Sequence, residues 1–288
     1  MNAFSFPNPM ETLRRNTVRH VQSVFNDRSK GEAPVIRSDD ALFPPGSTIW
    51  TVHGDVTTMM IGGVAALLMQ MLHPAALAGV WDFSNFREDM HGRLRRTARF
   101  IAVTTFAERT DALALIERVK AIHAKVQGIL PDGTPYAADD PALLAWVHAC
   151  ETRCFLDAWQ SYGNRRLSVV EQDRYVEQAG HVAEMLGAKP VPRTIAELDA
   201  LIGTMQADLH VDVRTREVAR LTVTQPAIDP TSAPIQKALI AAAVDLLPDW
   251  AKQLHSFGER PIITPIAKTG SLAVAQMLRW AFSVRSKA

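Results

Sequence analysis

Met59-Met60-Ile61-Gly62-Gly63-Val64-Ala65-Ala66-Leu67-Leu68-Met69-Gln70-Met71-Leu72-His73-Pro74-Ala75-Ala76-Leu77-Ala78 is the most apolar run in a chain of 288 residues. A membrane-crossing helix wants about 20 apolar residues with few polar breaks. This run carries Gln70 in its middle and is interrupted at His73-Pro74. Proline lacks a backbone donor and restricts the residue before it, so a helix ends there. The run therefore predicts a buried core helix from about Asp55 to His73 and no stable membrane span. Ile49, Trp50 and Val52 lead into it.

Outward from this helix, apolar residues recur at helical spacing, and period-2 alternation is scarce. A polar helix is expected over 10–29, a proline-containing loop over Asp39–Gly46, and a loop or short turn over Trp81–Asp89. A helix then runs from about Gly92 to Ala107. Thr110 is the expected N-cap of the next, which carries Leu113, Ile116, Val119, His123 and Val126 and stops at Gly128. Residues 129–138 form a turn-rich connector. Asp139 or Asp140 caps a long helix to about Tyr162, with Pro141 in its first turn. Ser168 with Glu171, and Thr194 with Glu197, have capping-box spacing for helices ending near Gly187 and Ala207. Further helices are expected near 213–222, 232–246 and 265–283. The fold class is all-α: one globular multi-helix domain over 1–288, with 1–44 peripheral.

The hydrophobic share of 47% supports a substantial core. Charges balance, with 31 basic against 30 acidic side chains and a net charge of +1. That balance argues against nucleic acid as a partner and against docking on an anionic membrane. Cys150 and Cys154 are too few for a disulfide framework or a zinc ribbon and read as two buried thiols. Met1–Pro9 lacks the basic region and apolar run of a signal peptide, so a cytoplasmic location is expected. Walker, Rossmann, Gly-x-Ser-x-Gly and His-Glu-x-x-His patterns are absent. A di-iron bundle wants two Glu-x-x-His motifs, whereas the chain has His148-x-x-Glu151, in reverse order.

Three of the nine histidines stand out. His123 sits in an apolar stripe with Ile116, Val119 and Val126, where an imidazole must find a hydrogen bond or a metal. His73 ends the apolar helix, where a histidine favours the negative end of the helix dipole. His148 lies one turn before Glu151, close enough to share a hydrogen bond. His53 and His91, each before a glycine, read as solvated. His20, His181, His210 and His255 carry no hypothesis. In Gly92-Arg93-Leu94-Arg95-Arg96-Thr97-Ala98-Arg99, Arg93 and Thr97 share a face, and Arg93 and Arg96 flank the stripe Leu94, Thr97, Ile101, Thr104. Arginines so placed suit a carboxylate at the rim of a cavity.

Taken in order, Leu67-Leu68-Met69-Gln70-Met71-Leu72-His73-Pro74, Gly79-Val80, Ser84-x-Phe86, Arg93-Leu94-x-x-Thr97, Phe106, Val119-x-x-Ile122-His123-x-x-Val126-x-Gly128, Tyr136-x-Ala138-x-Asp140-Pro141, Leu144-x-Trp146-Val147-His148 and Leu246-Leu247-Pro248-x-Trp250 resemble the mpaB-type oxygenases. That family shares its catalytic domain with the rubber oxygenase called latex-clearing protein. The resemblance covers about residues 45–255. It implies a helical fold around one haem b, with His123 as axial iron ligand and Arg93, Arg96 and Thr97 on the distal side. His73 and His148 join the cofactor-binding candidates. Rubber-cleaving members have a distal lysine where this chain has Arg96, and arginine is a poor iron ligand. The sixth position is then open, water-bound or filled by another residue. The resemblance also implies dioxygen and a hydrophobic, unsaturated, isoprenoid-like substrate as partners. The rival expectations are a haem-binding or oxygen-sensing protein without turnover, and a haem-free helical protein that binds a lipid.

Overall fold

Asp55 starts the helix that organises the molecule. Its carboxylate accepts from the backbone N–H groups of Thr57 (3.0 Å) and Thr58 (3.1 Å), as an N-cap should. The computed structural model describes residues 34–227, 230 and 233–257. The expected helices at 10–29 and 265–283, with His20, lie outside the described residues. Within them the fold is mostly helical, with eleven α-helices, one 3₁₀ turn and one small hairpin.

The chain runs α1 (Thr48–His53), α2 (Val56–Gln70), α3 (Pro74–Phe83), α4 (Met90–Phe106) and α5 (Arg109–His123). The strands β1 (Gln127–Ile129) and β2 (Pro135–Ala137) follow. Then come α6 (Pro141–Tyr162), α7 (Val169–Leu186), α8 (Ile195–Met205), α9 (Val213–Thr224), α10 (Ala233–Leu246) and α11 (Asp249–Leu254). The apolar run is buried along most of α2, with Ile61, Ala65, Leu68 and Met69 sealed from solvent. It packs mainly against α6, and α10 covers another side. Gly62 lets α2 and α6 approach closely: a Cβ there would stand 2.7 Å from Phe155 Cδ1 and 2.9 Å from the Cys154 carbonyl oxygen. Trp146, fully buried on α6, donates its indole N–H to the Gln70 carbonyl (3.3 Å), at the C-terminal end of α2. Cys150 and Cys154 are buried free thiols, as the sequence suggested.

The break at His73-Pro74 turns the chain rather than ending the helical region. His73 becomes the N-cap of α3, its Nδ1 accepting from the Ala75 N–H at 3.2 Å, and Pro74 takes the first helical position. Part of the expected loop at Trp81–Asp89 is therefore helix, to Phe83. Among the described residues no single helix is long and apolar enough to cross a membrane. The pair Val56–Gln70 and Pro74–Phe83 has the length and composition together but bends by 105° between them.

Three local expectations change. The helix carrying His123 starts at Arg109 after Glu108, so Thr110 lies inside it, and it ends at His123 rather than Gly128. The next residues are taken by the hairpin: Ala138 N–H donates to the Val126 carbonyl (2.8 Å), and Gln127 pairs with Ala137. The connector 129–138 thus contains β2, closed by a turn in which Gly133 has φ +89°, a left-handed conformation glycine adopts without cost. Ser168 and Glu171 form the full capping box. At Thr194 only half of it forms, because Glu197 accepts from the Arg193 N–H instead (2.7 Å).

Candidate functional site

A pocket opens where α2, α4 and α6 meet. Its apolar walls are Gly63, Ala66, Leu67, Leu94 and Phe155. Its polar groups are Gln70, Arg93, Thr97 and Glu151. Its enclosed space is about 30 Å³, water-sized and far below the roughly 300 Å³ at which ligand pockets begin. The small residues Gly63 and Ala66 leave the space, and Val147, His148 and Glu151 of α6 are partly accessible.

The polar groups are strongly perturbed. Burial pushes the Glu151 carboxyl up to about 7, although Gln70 and the Arg93 charge favour its ionised form. Burial, reinforced by Arg96, lowers Arg93 to about 10, and Glu151 opposes that shift. Arg93 and Glu151 attract each other without an ion-pair contact. Among the described residues the Arg93 guanidinium makes no hydrogen bond. Gln70 links the walls by donating its amide to the Val147 carbonyl at 3.2 Å. The Thr97 hydroxyl bonds back to the Arg93 carbonyl (3.4 Å) and stands at the mouth.

The structure thus brings Arg93 and Thr97 together, as their spacing on one helix face indicated. Arg96 points outward instead and donates to Asn85 Oδ1 at 3.3 Å. His148 does not bond Glu151: its ring lies 3.3 Å from the Thr152 hydroxyl, and burial lowers it to about 4. His73 caps α3 near Trp146, with a ring-centroid distance of 6.3 Å. Burial lowers its pKa, which Asp208 and Asp140 oppose.

His123 closes the last turn of α5. Ala107 and Glu108 separate α4 from α5, and the two helices pack against each other. His123 is not in the pocket lining. Its Nδ1 is buried with no hydrogen-bond partner among the described residues. Burial lowers its pKa and Asp139 raises it, so the ring is held towards its neutral form. The stripe expected around it is only partly sealed, for Ile116 is buried while Val119 and Val126 are half-buried.

His53, expected to be solvated, is half-buried with both ring nitrogens bonded. Nδ1 is hydrogen-bonded to the Thr105 hydroxyl (2.8 Å) and Nε2 to the Tyr175 hydroxyl (3.0 Å), and burial lowers it to about 3. His91 Nε2 donates to the Pro226 carbonyl at 2.8 Å. His255 Nε2 donates to the Leu68 carbonyl at 2.9 Å. Sequence reasoning missed Glu151 as a pocket acid and Gln70 as its neighbour. The signal for Gln70 was its position as a polar break in the most apolar helix. Among the described residues no group of three or more His, Cys, Asp or Glu side chains is arranged to hold a metal ion.

The chain belongs to the family described as ER-bound oxygenase mpaB/B'/Rubber oxygenase, catalytic domain, whose model matches residues 50–279. Over 102 residues it is 30% identical to an uncharacterised protein of Mycobacterium tuberculosis and, to the same extent, to one of Mycobacterium bovis. Each alignment covers 34% of this chain and 40% of the relative, so the chain spans well under half of those relatives' length. No solved structure matches the chain.

Proposed function

We propose that the chain is a haem b-dependent oxygenase that acts on a hydrophobic substrate with dioxygen, and that His123 would hold the haem iron. The family supplies the oxygenase class. The observation that carries the haem reading is His123 Nδ1, buried and without a partner. An orphaned buried polar atom costs about 1–3 kcal/mol, so a group that uses the ring accounts for it. A ligating imidazole must be neutral, and burial favours that form. A porphyrin brings its own nitrogen donors, so one histidine is a sufficient protein ligand.

The chemistry supplied by a bound haem is the binding and activation of dioxygen. The protein's share is position and polarity. Leu67, Leu94 and Phe155 exclude water and suit an unsaturated hydrocarbon. Arg93 and Thr97 offer hydrogen-bond donors at the pocket's polar end, for a propionate or for a polar atom of the substrate. Arg96, turned outward to Asn85, contributes positive charge at the rim. A second reading, binding of a hydrophobic ligand without haem, is favoured by the pocket lining, which omits His123.

Optical spectra of the purified chain in ferric, ferrous and carbon monoxide-treated states test the proposal. The expected result is a Soret band that is lost in His123→Ala and kept in His73→Ala and His148→Ala. No Soret absorbance after haem supplementation refutes the haem reading, and a native spectrum in His123→Ala refutes the ligand. Oxygen-dependent conversion of an alkene separates an oxygenase from a sensor.

A further inference from the structure

The last described helix, α11, ends in a histidine that the proposed oxygenase chemistry does not use. His255 is the C-cap of α11 and is only 7% exposed. Its Nε2 donates to the Leu68 carbonyl on α2 at 2.9 Å, which fixes the neutral ring as the Nε2–H tautomer. Its Nδ1 is buried with no hydrogen-bond partner among the described residues. The ring stacks on Phe257, with centroids 5.1 Å apart and planes at 22°. Between them the chain turns sharply at Ser256, whose φ of +58° is a left-handed conformation that costs a non-glycine residue. The Ser256 and Phe257 N–H groups bond back to the Gln253 and Lys252 carbonyls, at 3.0 and 2.9 Å.

α11 has only six residues and touches the other elements lightly. Ala251 belongs to the apolar cluster that includes Leu68 and Leu247, with Trp250 and Phe257 packed against it. Among the described residues the His255–Leu68 bond is the one hydrogen bond that ties α11 and its C-cap to α2. We propose that His255 is an acid-released latch: neutral, it holds α11 on α2 through the Leu68 carbonyl, and protonated, it undocks α11 together with Phe257.

The chemistry gives the sign. Protonation adds a proton at Nδ1, where no acceptor stands, and places a positive charge in an apolar cluster. The undocked ring meets water and takes the proton freely. Burial lowers the docked ring from the ordinary 6.5, and the Leu68 bond opposes that shift without reversing it. The latch is therefore closed above pH 6.5 and loosens as pH falls below it. Among the described residues no charged neighbour shifts His255. α2 carries no ionisable side chain. On α11, Asp249 and Lys252 pair with each other at 3.7 Å. On α10, Lys237 and Asp245 are exposed, and Asp245 acts on Tyr162 of α6.

Hydrogen–deuterium exchange of the full-length chain at pH 7.5 and 5.5 tests the latch. It is read as protection factors, which remove the intrinsic pH dependence of exchange. Each pH unit below 6.5 favours the protonated, undocked ring tenfold, so protection of Asp249–Leu254 should fall up to about tenfold at pH 5.5. His255→Gln, whose amide does not titrate, should remove that dependence from α11. Core amides of α10 should keep in this variant whatever pH dependence they show in the wild type. His255→Ala should lower the protection of α11 already at pH 7.5. The latch is overturned if α11 is equally protected at both pH values, if His255→Gln retains the loss, or if His255→Ala is as protected as the wild type at pH 7.5. The measurement reads neither haem nor turnover, so it can fail while the oxygenase reading stands.

Discussion

Replacing Glu151 with glutamine should stabilise the fold, and only at neutral to alkaline pH. The acid is raised from 4.5 to about 7 by burial. Each unit is worth about 1.4 kcal/mol, so the shift amounts to about 3 kcal/mol. The sign follows from proton counts. Between pH 4.5 and 7 the folded state holds a proton that the unfolded state has released, so stability falls as pH rises through that window. Below it, both states are protonated and nothing is lost. Above pH 7 the folded chain carries an ionised carboxylate in an apolar wall, and the full cost is present. Glutamine has the shape of the protonated acid and no charge. The variant should therefore exceed the wild type by about 2–3 kcal/mol at pH 8, allowing for water that reaches the pocket, and by under about 1 kcal/mol at pH 5. Urea unfolding at the two pH values measures the difference, with equal m-values confirming that the same surface is exposed. Equal stability of the two proteins at pH 8 would refute the claim that Glu151 is desolvated. A loss of stability at pH 8 would show that its ionised form is held by Arg93 more strongly than burial penalises it.

Acid should destabilise the fold through His53 and His148, lowered by burial to about 3 and about 4. Both are neutral in the folded state, so stability is present above pH 6.5 and is lost as pH falls below it. The melting temperature should decline from pH 6.5 to 4, and less steeply in His148→Gln. Gly62→Ala should cost about 1–3 kcal/mol, because the Cys154 carbonyl at 2.9 Å cannot yield without moving α6. Gly63→Ala, whose Cβ would meet only Phe155 Cε1 at 3.8 Å, should be tolerated, as thermal denaturation of the pair will report. Asp140→Ala should cost about 1 kcal/mol, since its carboxylate accepts from the N–H groups of Ala142 and Leu143 (both 2.9 Å) at the start of α6.

Features that one segment determines were legible in the sequence. The apolar run with its break at His73-Pro74, the Ser168 capping box and Asp140-Pro141 each state their local structure through a few neighbouring residues. So did Arg93 and Thr97, because spacing on one helix fixes a shared face. What a distant segment decides was not legible. The helix of His123 stops early because β2 takes the backbone of Val126 and Gln127. His53 looked solvated beside Gly54, yet Thr105 and Tyr175, far along the chain, satisfy both ring nitrogens. Glu151 read as a partner for His148 on the same helix. Its environment is instead set by α2 and α4, which no spacing within α6 reveals.

The placement of polar groups in this core is hard to explain by stability alone. A sealed helix pair such as α2 and α6 would gain from leucine at positions 70 and 151, since burying a polar group costs free energy that a hydrogen bond at best returns. Gln70 recovers part of that through Val147. Glu151 recovers little through the Gln70 amide, because burial outweighs that bond in setting its titration. Arg93 adds a desolvated charge whose donors stay unused among the described residues. These are three costs at the walls of one void, on three different helices. Natural folds retain such costs where binding or chemistry requires them, and perturbed ionisable groups cluster at functional sites for that reason. His123, on α5, carries a buried ring nitrogen of its own with no partner among the described residues.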